Sequence, residues 1–417
     1  MDVETSLKKL FSLHTFGIKL GLDNTIGFLE HLGNPQKFLK AIHVAGSNGK
    51  GSTSSFIASI LQESGYKTGL YTSPHFVKFN ERIVINGEQI DDEYIAGFVE
   101  EYEKYIDEHQ LTFFEVTTAI AFKYFREMKT DYCVIETGLG GRLDATNVLN
   151  PLAVVITTIS LEHTNVLGNT IAQIASEKAA IIKDGVNVFT GILEKEAEGI
   201  IKQKSKEMNS QLFRLKDFIS NSENNFKVLI NDNIQVEINP PLKGNYQKIN
   251  AALAALTISK TFPVVDKEKY LSGISYVVRN TGLQGRYEYF HRKPTIIFDS
   301  AHNIEGVNSF LTEFSKKAGL FSKRSLLFGA MRDKAIGEML EMFPKSFDQI
   351  FITKINYERA AGLEEIIKEC DRLNINYSSV QEPAELVRKF KNRSKDECLV
   401  VLGSMYLLGE IKAAFVN

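Results

Sequence analysis

The stretch Ala41-Ile42-His43-Val44-Ala45-Gly46-Ser47-Asn48-Gly49-Lys50-Gly51-Ser52-Thr53 constrains this chain more than any other. A short apolar run is followed by three glycines around a lysine and two hydroxyls. Helical spacing then begins (Phe56, Ile57, Ile60, Leu61). That order spells strand, glycine-rich turn, helix, and so an open α/β sheet rather than a bundle or sandwich. Such a turn bares backbone N–H groups to phosphate oxygens, with a helix N-terminus behind them. Lys50 would reach outer phosphates, and Ser52 or Thr53 would face a magnesium ion. The spacing departs from the usual P-loop, because two residues separate Gly46 from Gly49 and Gly51 stands between Lys50 and Ser52. The rival reading is a flexible strand-to-helix turn. The flanking strand and helix favour a nucleotide site.

At 417 residues the chain exceeds one compact core, so two or three domains are expected. A net charge of −2 gives no basic footprint for nucleic acid and points to small-molecule partners. Cys133, Cys370 and Cys398 are scattered, without metal-ligand spacing, and read as thiols in a reducing compartment. Met1-Asp2-Val3-Glu4 is acidic where a signal peptide would be basic, and no apolar run approaches ~18 residues. A cytoplasmic chain that avoids membranes, with nothing demanding more than a monomer, is expected.

Apolar strand-like runs at Asp131–Ile135, Leu152–Ile159 and Val186–Phe189 alternate with helical patterns at Phe113–Met128, Thr170–Lys183 and Glu196–Met208. This predicts a parallel sheet covered on both faces. Alternation ending in Asn86-Gly87 predicts a hairpin, and short runs at Phe226–Ile230 and Ile234–Ile238 predict an antiparallel ribbon. A second α/β series has strands at Thr295–Phe298, Ser325–Phe328, Gln349–Thr353 and Leu399–Leu402. The expected architecture is a large N-terminal P-loop-type domain at 1–290, mostly parallel with helices on both faces, and a smaller doubly wound α/β domain at 291–417.

Several residues fall at carboxyl ends of predicted strands, where open α/β sheets bind ligands. Glu136 follows Tyr132-Cys133-Val134-Ile135 directly and reads as a partner for Mg²⁺; an exposed loop carboxylate is the alternative. His163 follows the strand ending at Ile159, with structural and functional readings both open. Lys178 shares a helical stripe with Ile171, Ile174 and Ile181, where an amine must be paired, snorkel outward or lose its charge. Asp299-Ser300-Ala301-His302-Asn303 and Gly403-Ser404 end two later strands and read either as a polar-ligand site or as helix caps.

Together these segments resemble the folylpolyglutamate synthase/dihydrofolate synthase family, a branch of the Mur-type ATP-dependent amide ligases. The resemblance is carried by the phosphate loop, Thr72-Ser73-Pro74-His75, Asn80-Glu81-Arg82, Glu136 through Asn147 (ETGLGGRLDATN), Glu177-Lys178-Ala179, Gly285-Arg286, Asp299 through Asn303 and Gly403-Ser404-Met405-Tyr406. It implies that Ser47, Asn48, Gly49, Lys50, Gly51, Ser52 and Thr53 hold ATP, with Asn250, Arg286 and Asp299 also on the nucleotide. Ser73, Glu136 and His163 would ligate Mg²⁺, two ions being expected, and Lys178 would carry a CO₂-derived carbamate. Ser73, Pro74, His75, Asn80 and Arg82 would form part of the folate pocket, while His302 and Ser404 would line the glutamate side. Lys50, Lys178 and His302 are the implied catalytic residues. The implied reaction joins L-glutamate to a reduced folate or to dihydropteroate.

Four positions depart from the family pattern: Ser47 for Thr, Glu162 for Asp, Ala180 for Gly and Tyr246 for His. Other classes fit part of the pattern. A P-loop kinase would share Lys50 and Glu136 without needing Asp299–Asn303, a nucleotide-dependent binding protein would need no turnover, and a monofunctional dihydrofolate synthase would take dihydropteroate alone.

Overall fold

Residues 2–13, 21–222, 225–230, 234–262 and 264–416 are described by a computed structural model. The strands of its first sheet are β1 (Ala41–Ala45), β2 (Thr68–Tyr71), β3 (Ile83–Ile85), β4 (Glu88–Gln89), β5 (Tyr132–Glu136), β6 (Ala153–Ile156), β7 (Asn187–Thr190) and β8 (Leu212–Arg214). They align as β4-β3-β2-β5-β1-β6-β7-β8. β2, β5, β1, β6, β7 and β8 run parallel, and β3 and β4 add an antiparallel edge. The hairpin forms as predicted, with Asn86 and Gly87 both at positive φ (49° and 86°), which suits a two-residue turn between twisted strands.

The sheet is buried on both sides. Ala41, Tyr71, Cys133 and Ile135 pack into one apolar cluster, and Ala45, Val154, Ile156 and Val188 into another. Because β1 lies between β5 and β6, the chain reverses its direction of sheet-filling there. A crevice therefore opens beyond the carboxyl ends of these three strands. The predicted ribbon is a three-stranded antiparallel sheet of β9 (Ile219–Ser222), β10 (Asn225–Ile230) and β11 (Ile234–Glu237), with β10 central. Residues 231–233, between β10 and β11, lie outside the described residues.

The second sheet comprises β12 (Glu288–Arg292), β13 (Thr295–Phe298), β14 (Lys323–Phe328), β15 (Gln349–Thr353), β16 (Ser378–Val380) and β17 (Glu397–Leu402). Its order is β12-β13-β17-β14-β15-β16, parallel except for β12. Alternate residues enter opposite clusters: Ile297, Leu326 and Val400 on one face, Ile296, Leu327 and Val401 on the other. This is the doubly wound pattern expected.

Two compact units result: Met1–Pro74, Phe79–Pro241 and Lys248–Leu283 form the first; His75–Lys78, Leu242–Gln247 and Gln284–Asn417 form the second. The boundary expected at 290 falls inside β12, which the second unit recruits as the antiparallel partner of β13. The helix expected over Thr170–Lys183 spans only Ile171–Ala179; Thr170 and Gln173 close its N-terminus as a capping box. All three cysteines are buried. No helix among the described residues is long and apolar enough to cross a membrane.

Candidate active site

The phosphate loop leaves β1 at Gly46 and becomes helical at Lys50. Gly46 has φ +150°, and a Cβ there would lie 1.9 Å from Thr157 Oγ1, so only glycine fits against β6's end. The loop is pinned to that end by Ser47 N–H to Thr158 O (2.8 Å), Asn48 N–H to Thr158 Oγ1 (2.9 Å) and Thr157 Oγ1 to Asn48 O (2.6 Å). Ser47 Oγ donates to Ser160 O and accepts from Ser160 N–H, so its hydroxyl is spent within the fold. Lys50 Nζ donates to Gly46 O (2.8 Å) and Ser47 O (3.3 Å), arching across the loop. A Cβ on Gly49 would lie 2.5 Å from Asn250 Oδ1, which puts the Asn250 amide directly against the loop. Ser52 and Thr53 are both buried, and the Thr53 hydroxyl has no hydrogen-bond partner among the described residues.

Glu136 ends β5 beside this loop, 3% exposed. Its Oε2 accepts the Ser73 N–H at 3.1 Å and would lie 3.5 Å from a Cβ on Gly51. The structure therefore brings Glu136, Ser73 and Gly51 together. His163 sits at positive φ (45°) as N-cap of the short helix Thr164–Leu167. Among the described residues, no three His, Cys, Asp or Glu side chains converge to hold a metal by themselves. The oxygen donors of Glu136 and neighbouring hydroxyls suit a hard cation that keeps water and phosphate oxygens in its shell, which is how Mg²⁺ binds.

Lys178 is 1% exposed and does not snorkel; Nζ donates to Glu162 Oε1 at 2.7 Å, and Glu162 is 5% exposed. Burial lowers the Lys178 amine below its usual range, with Glu162 pulling it back up and the Lys50 charge adding to the fall. Burial alone would raise the Glu162 carboxyl, but the Lys178 and Lys50 charges reverse this and hold it below the carboxylate range. Glutamate in place of aspartate thus spans the gap to the lysine.

Asn80 and Arg82, expected on a substrate, are turned into the interior. Asn80 Nδ2 donates to Ile90 O (2.7 Å) and Asp92 Oδ1 (2.8 Å), and the Arg82 guanidinium lies 5.2 Å from the Phe113 ring centroid. Ser73 and Pro74 belong to the first unit, but His75 packs with the second.

In the second unit Asp299 ends β13 and is 4% exposed. It accepts from Tyr287 N–H (2.7 Å), Ala301 N–H (2.9 Å) and the Tyr246 hydroxyl (3.3 Å). Burial raises its carboxyl, against the Arg286 charge and these donors. The helix cap in this segment is Asn303, which accepts from Gly306 N–H at 2.8 Å; this leaves His302 half-buried, its Nδ1 2.9 Å from Ser300 O. Ser404 Oγ accepts from Tyr406 N–H at 3.1 Å and so serves as a cap as well.

Sequence reasoning missed the edge formed by β14 and β15. Gly329 through Lys334 leaves β14, and a cavity of about 250 Å³ there is lined by Arg332, Lys354, Asn356 and Tyr357. The signal, a glycine directly after an apolar strand, is the same one read at Gly403-Ser404. Sequence reasoning also missed His43, Asp144 and Thr146 behind the phosphate loop.

Residues 44–258 match the Mur ligase middle domain, and residues 285–405 match the Mur ligase glutamate ligase domain. The dihydrofolate synthase/folylpolyglutamate synthase of Bacillus subtilis is 35% identical, the alignment covering 95% of each chain. The folylpolyglutamate synthase of Lacticaseibacillus casei is 31% identical over 93% of each. The structure of Escherichia coli FolC in complex with DHPP and ADP superposes with a TM-score of 0.87 at 27% identity, over 100% of this chain and 98% of that one. This chain belongs to the dihydrofolate synthase/folylpolyglutamate synthase family of Mur ligases.

Proposed function

We propose that this chain is an ATP-dependent ligase that joins L-glutamate to the terminal carboxylate of a folate, tetrahydrofolate or dihydropteroate serving as acceptor. The observation that carries this reading is the switch-point crevice, where Gly51 brings the phosphate loop to within van der Waals reach of the Glu136 carboxylate. In this reading the first unit handles ATP and the folate, and the second handles glutamate, as a cytoplasmic monomer.

A carboxylate is a poor electrophile, so the γ-phosphoryl group of ATP passes to a carboxylate oxygen, giving ADP and an acyl phosphate. The glutamate amine attacks the carbonyl carbon, loses a proton, and the tetrahedral intermediate expels phosphate to leave the amide. The protein's contribution is positioning and charge neutralisation. Gly49, Lys50, Gly51 and Ser52 cradle the phosphates, Lys50 taking the outer charge, with Asn250 beside the loop. Arg286 and Asp299 would contact the nucleotide. Glu136, Ser73 and His163 would hold Mg²⁺, which supplies further neutralisation of the transferring group. Lys178 would carry a carbamate, an anion able to face the metal; burial lowers its amine and so favours the neutral form that combines with CO₂. His302 and Ser404 face glutamate, and Arg332 and Lys354 offer cations for its carboxylates.

The test is ADP release by the purified protein with tetrahydrofolate or dihydropteroate, each with and without L-glutamate. Glutamate-dependent release with either acceptor is expected. Release with an acceptor but independent of glutamate would make the chain a kinase, and none with either acceptor would reject the ligase.

A further inference from the structure

Behind the phosphate loop, three buried polar side chains link in series. His43 in the middle of β1 is 0% exposed, and its Nε2 lies 2.8 Å from Thr146 Oγ1. The Thr146 hydroxyl donates to Asp144 Oδ1 at 2.5 Å, and Thr146 N–H donates to the same oxygen at 3.1 Å. The other oxygen, Oδ2, accepts the Leu139 N–H at 2.8 Å. Both carboxylate oxygens of Asp144 are thus filled by donors. The Thr146 oxygen, having given its proton to Asp144, can only accept from His43. That fixes the imidazole as the Nε2–H tautomer and leaves Nδ1, buried and without a partner among the described residues, as a bare acceptor. A polar ring at the centre of an otherwise apolar strand is costly unless its one hydrogen bond is needed.

What the series reaches is the loop that follows Glu136. Leu139 is held by Asp144. Gly141 lies so close to the helix Ile171–Ala179 that a Cβ would come within 2.7 Å of Glu177 O and 3.2 Å of Lys178 Cα. Arg142 N–H donates to Glu177 O at 2.9 Å. The loop is therefore cast between β1 on one side and the turn of helix that carries Lys178 on the other.

We propose that His43, Thr146 and Asp144 form a buried positioning relay that fixes the Gly138–Gly141 backbone, and through it the relation of Glu136 to Lys178. The three residues touch no substrate and move no proton; their part is to hold the loop. The relay itself stands on geometry, and only its catalytic consequence rests on the ligase reading.

The experiment compares the full chain with Thr146→Val, Thr146→Ser and His43→Gln, reading amide hydrogen exchange at Gly138–Leu139 and the magnesium dependence of ADP release. Thr146→Val removes the hydroxyl and should speed exchange of the Leu139 amide about ten- to a hundredfold, the equivalent of one hydrogen bond to a charged group. It should also raise half-saturating magnesium while leaving the KM for glutamate within about twofold. Thr146→Ser and His43→Gln, which keep a hydroxyl and a donor, should stay within about threefold of the parent in exchange. Unchanged exchange in Thr146→Val, or equal acceleration in Thr146→Ser, would overturn the relay. If the parent chain releases no ADP but the exchange pattern holds, the relay stands and the ligase reading falls.

Discussion

In the first unit, Lys178 Nζ meets Glu162 Oε1 at 2.7 Å, and this is its one hydrogen bond among the described residues. In the second unit, Lys412 Nζ donates to Gln284 Oε1 (2.6 Å) and to both oxygens of Glu288 (2.9 and 2.7 Å). An ammonium has three N–H donors. Lys412 uses all of them, and the Phe76 ring centroid lies 5.3 Å from its nitrogen. It is a finished structural contact. Lys178 is more deeply buried, 1% exposed, and is met by a single carboxylate oxygen among the described residues. The difference teaches that burial alone does not set the two lysines apart, whereas the number of acceptors around each amine does.

The sharpest way to break this comparison is to remove each amine. Lys178→Ala should cut kcat/KM more than about a hundredfold, and Lys178→Arg should not recover it, because a guanidinium keeps its charge and takes up no CO₂. A short carboxylic acid in solution should restore part of the Ala variant's activity by occupying the vacated anionic site. Wild-type turnover by Lys178→Arg would end the carbamate reading. Lys50→Ala should lower kcat more than about tenfold, a barrier increase above ~1.4 kcal/mol, with its melting temperature unchanged. A smaller loss would remove Lys50 from the transferring phosphate.

Lys412→Met should behave in the opposite sense. It leaves Glu288 with the Gly285 N–H but without its ammonium partner, and should cost about 1–3 kcal/mol of stability in denaturant titrations, while kcat stays within about threefold. If it silences catalysis without destabilising the chain, the contrast between the two lysines is wrong. Glu136→Gln should shift only the magnesium requirement upward, since an amide is a weaker ligand for a hard cation. An unchanged requirement would take Glu136 out of the metal site.

What could be read in the sequence follows the same division. Strand-end positions were legible because near-continuous apolar runs stop abruptly: Ile135 gives way to Glu136, Phe298 to Asp299, Leu402 to Gly403. The burial of Lys178 was legible from helical spacing, although its partner was not, since Glu162 lies sixteen residues away on another loop. The inward turn of Asn80 and Arg82 could not be read, because their partners come from further along the chain: Ile90 after the hairpin, and Asp92 and Phe113 at the starts of two successive helices. The domain boundary was displaced because β12 alternates too weakly to announce itself, its residues being only half-buried. Tertiary pairing, not local propensity, makes it a strand.

His43 extends the comparison to a third buried base, satisfied on one nitrogen and bare on the other. Burial, with the Lys183 charge adding to it, pushes its pKa down to about 3. An unfolded histidine titrates near ~6.5. As pH falls below ~6.5 the unfolded chain therefore binds a proton that the folded chain refuses. The folded state thus loses stability from this group between about pH 6.5 and 3, at up to about 1.4 kcal/mol per pH unit, and has lost about 2 kcal/mol by pH 5. His43→Gln keeps a donor for Thr146 but cannot titrate, so its stability measured by denaturant unfolding should fall less steeply between pH 7 and 5. Parallel curves for parent and variant would show that the ring is protonated in the fold. The bare nitrogen would then have a partner, and His43 would stand with Lys412 rather than with Lys178.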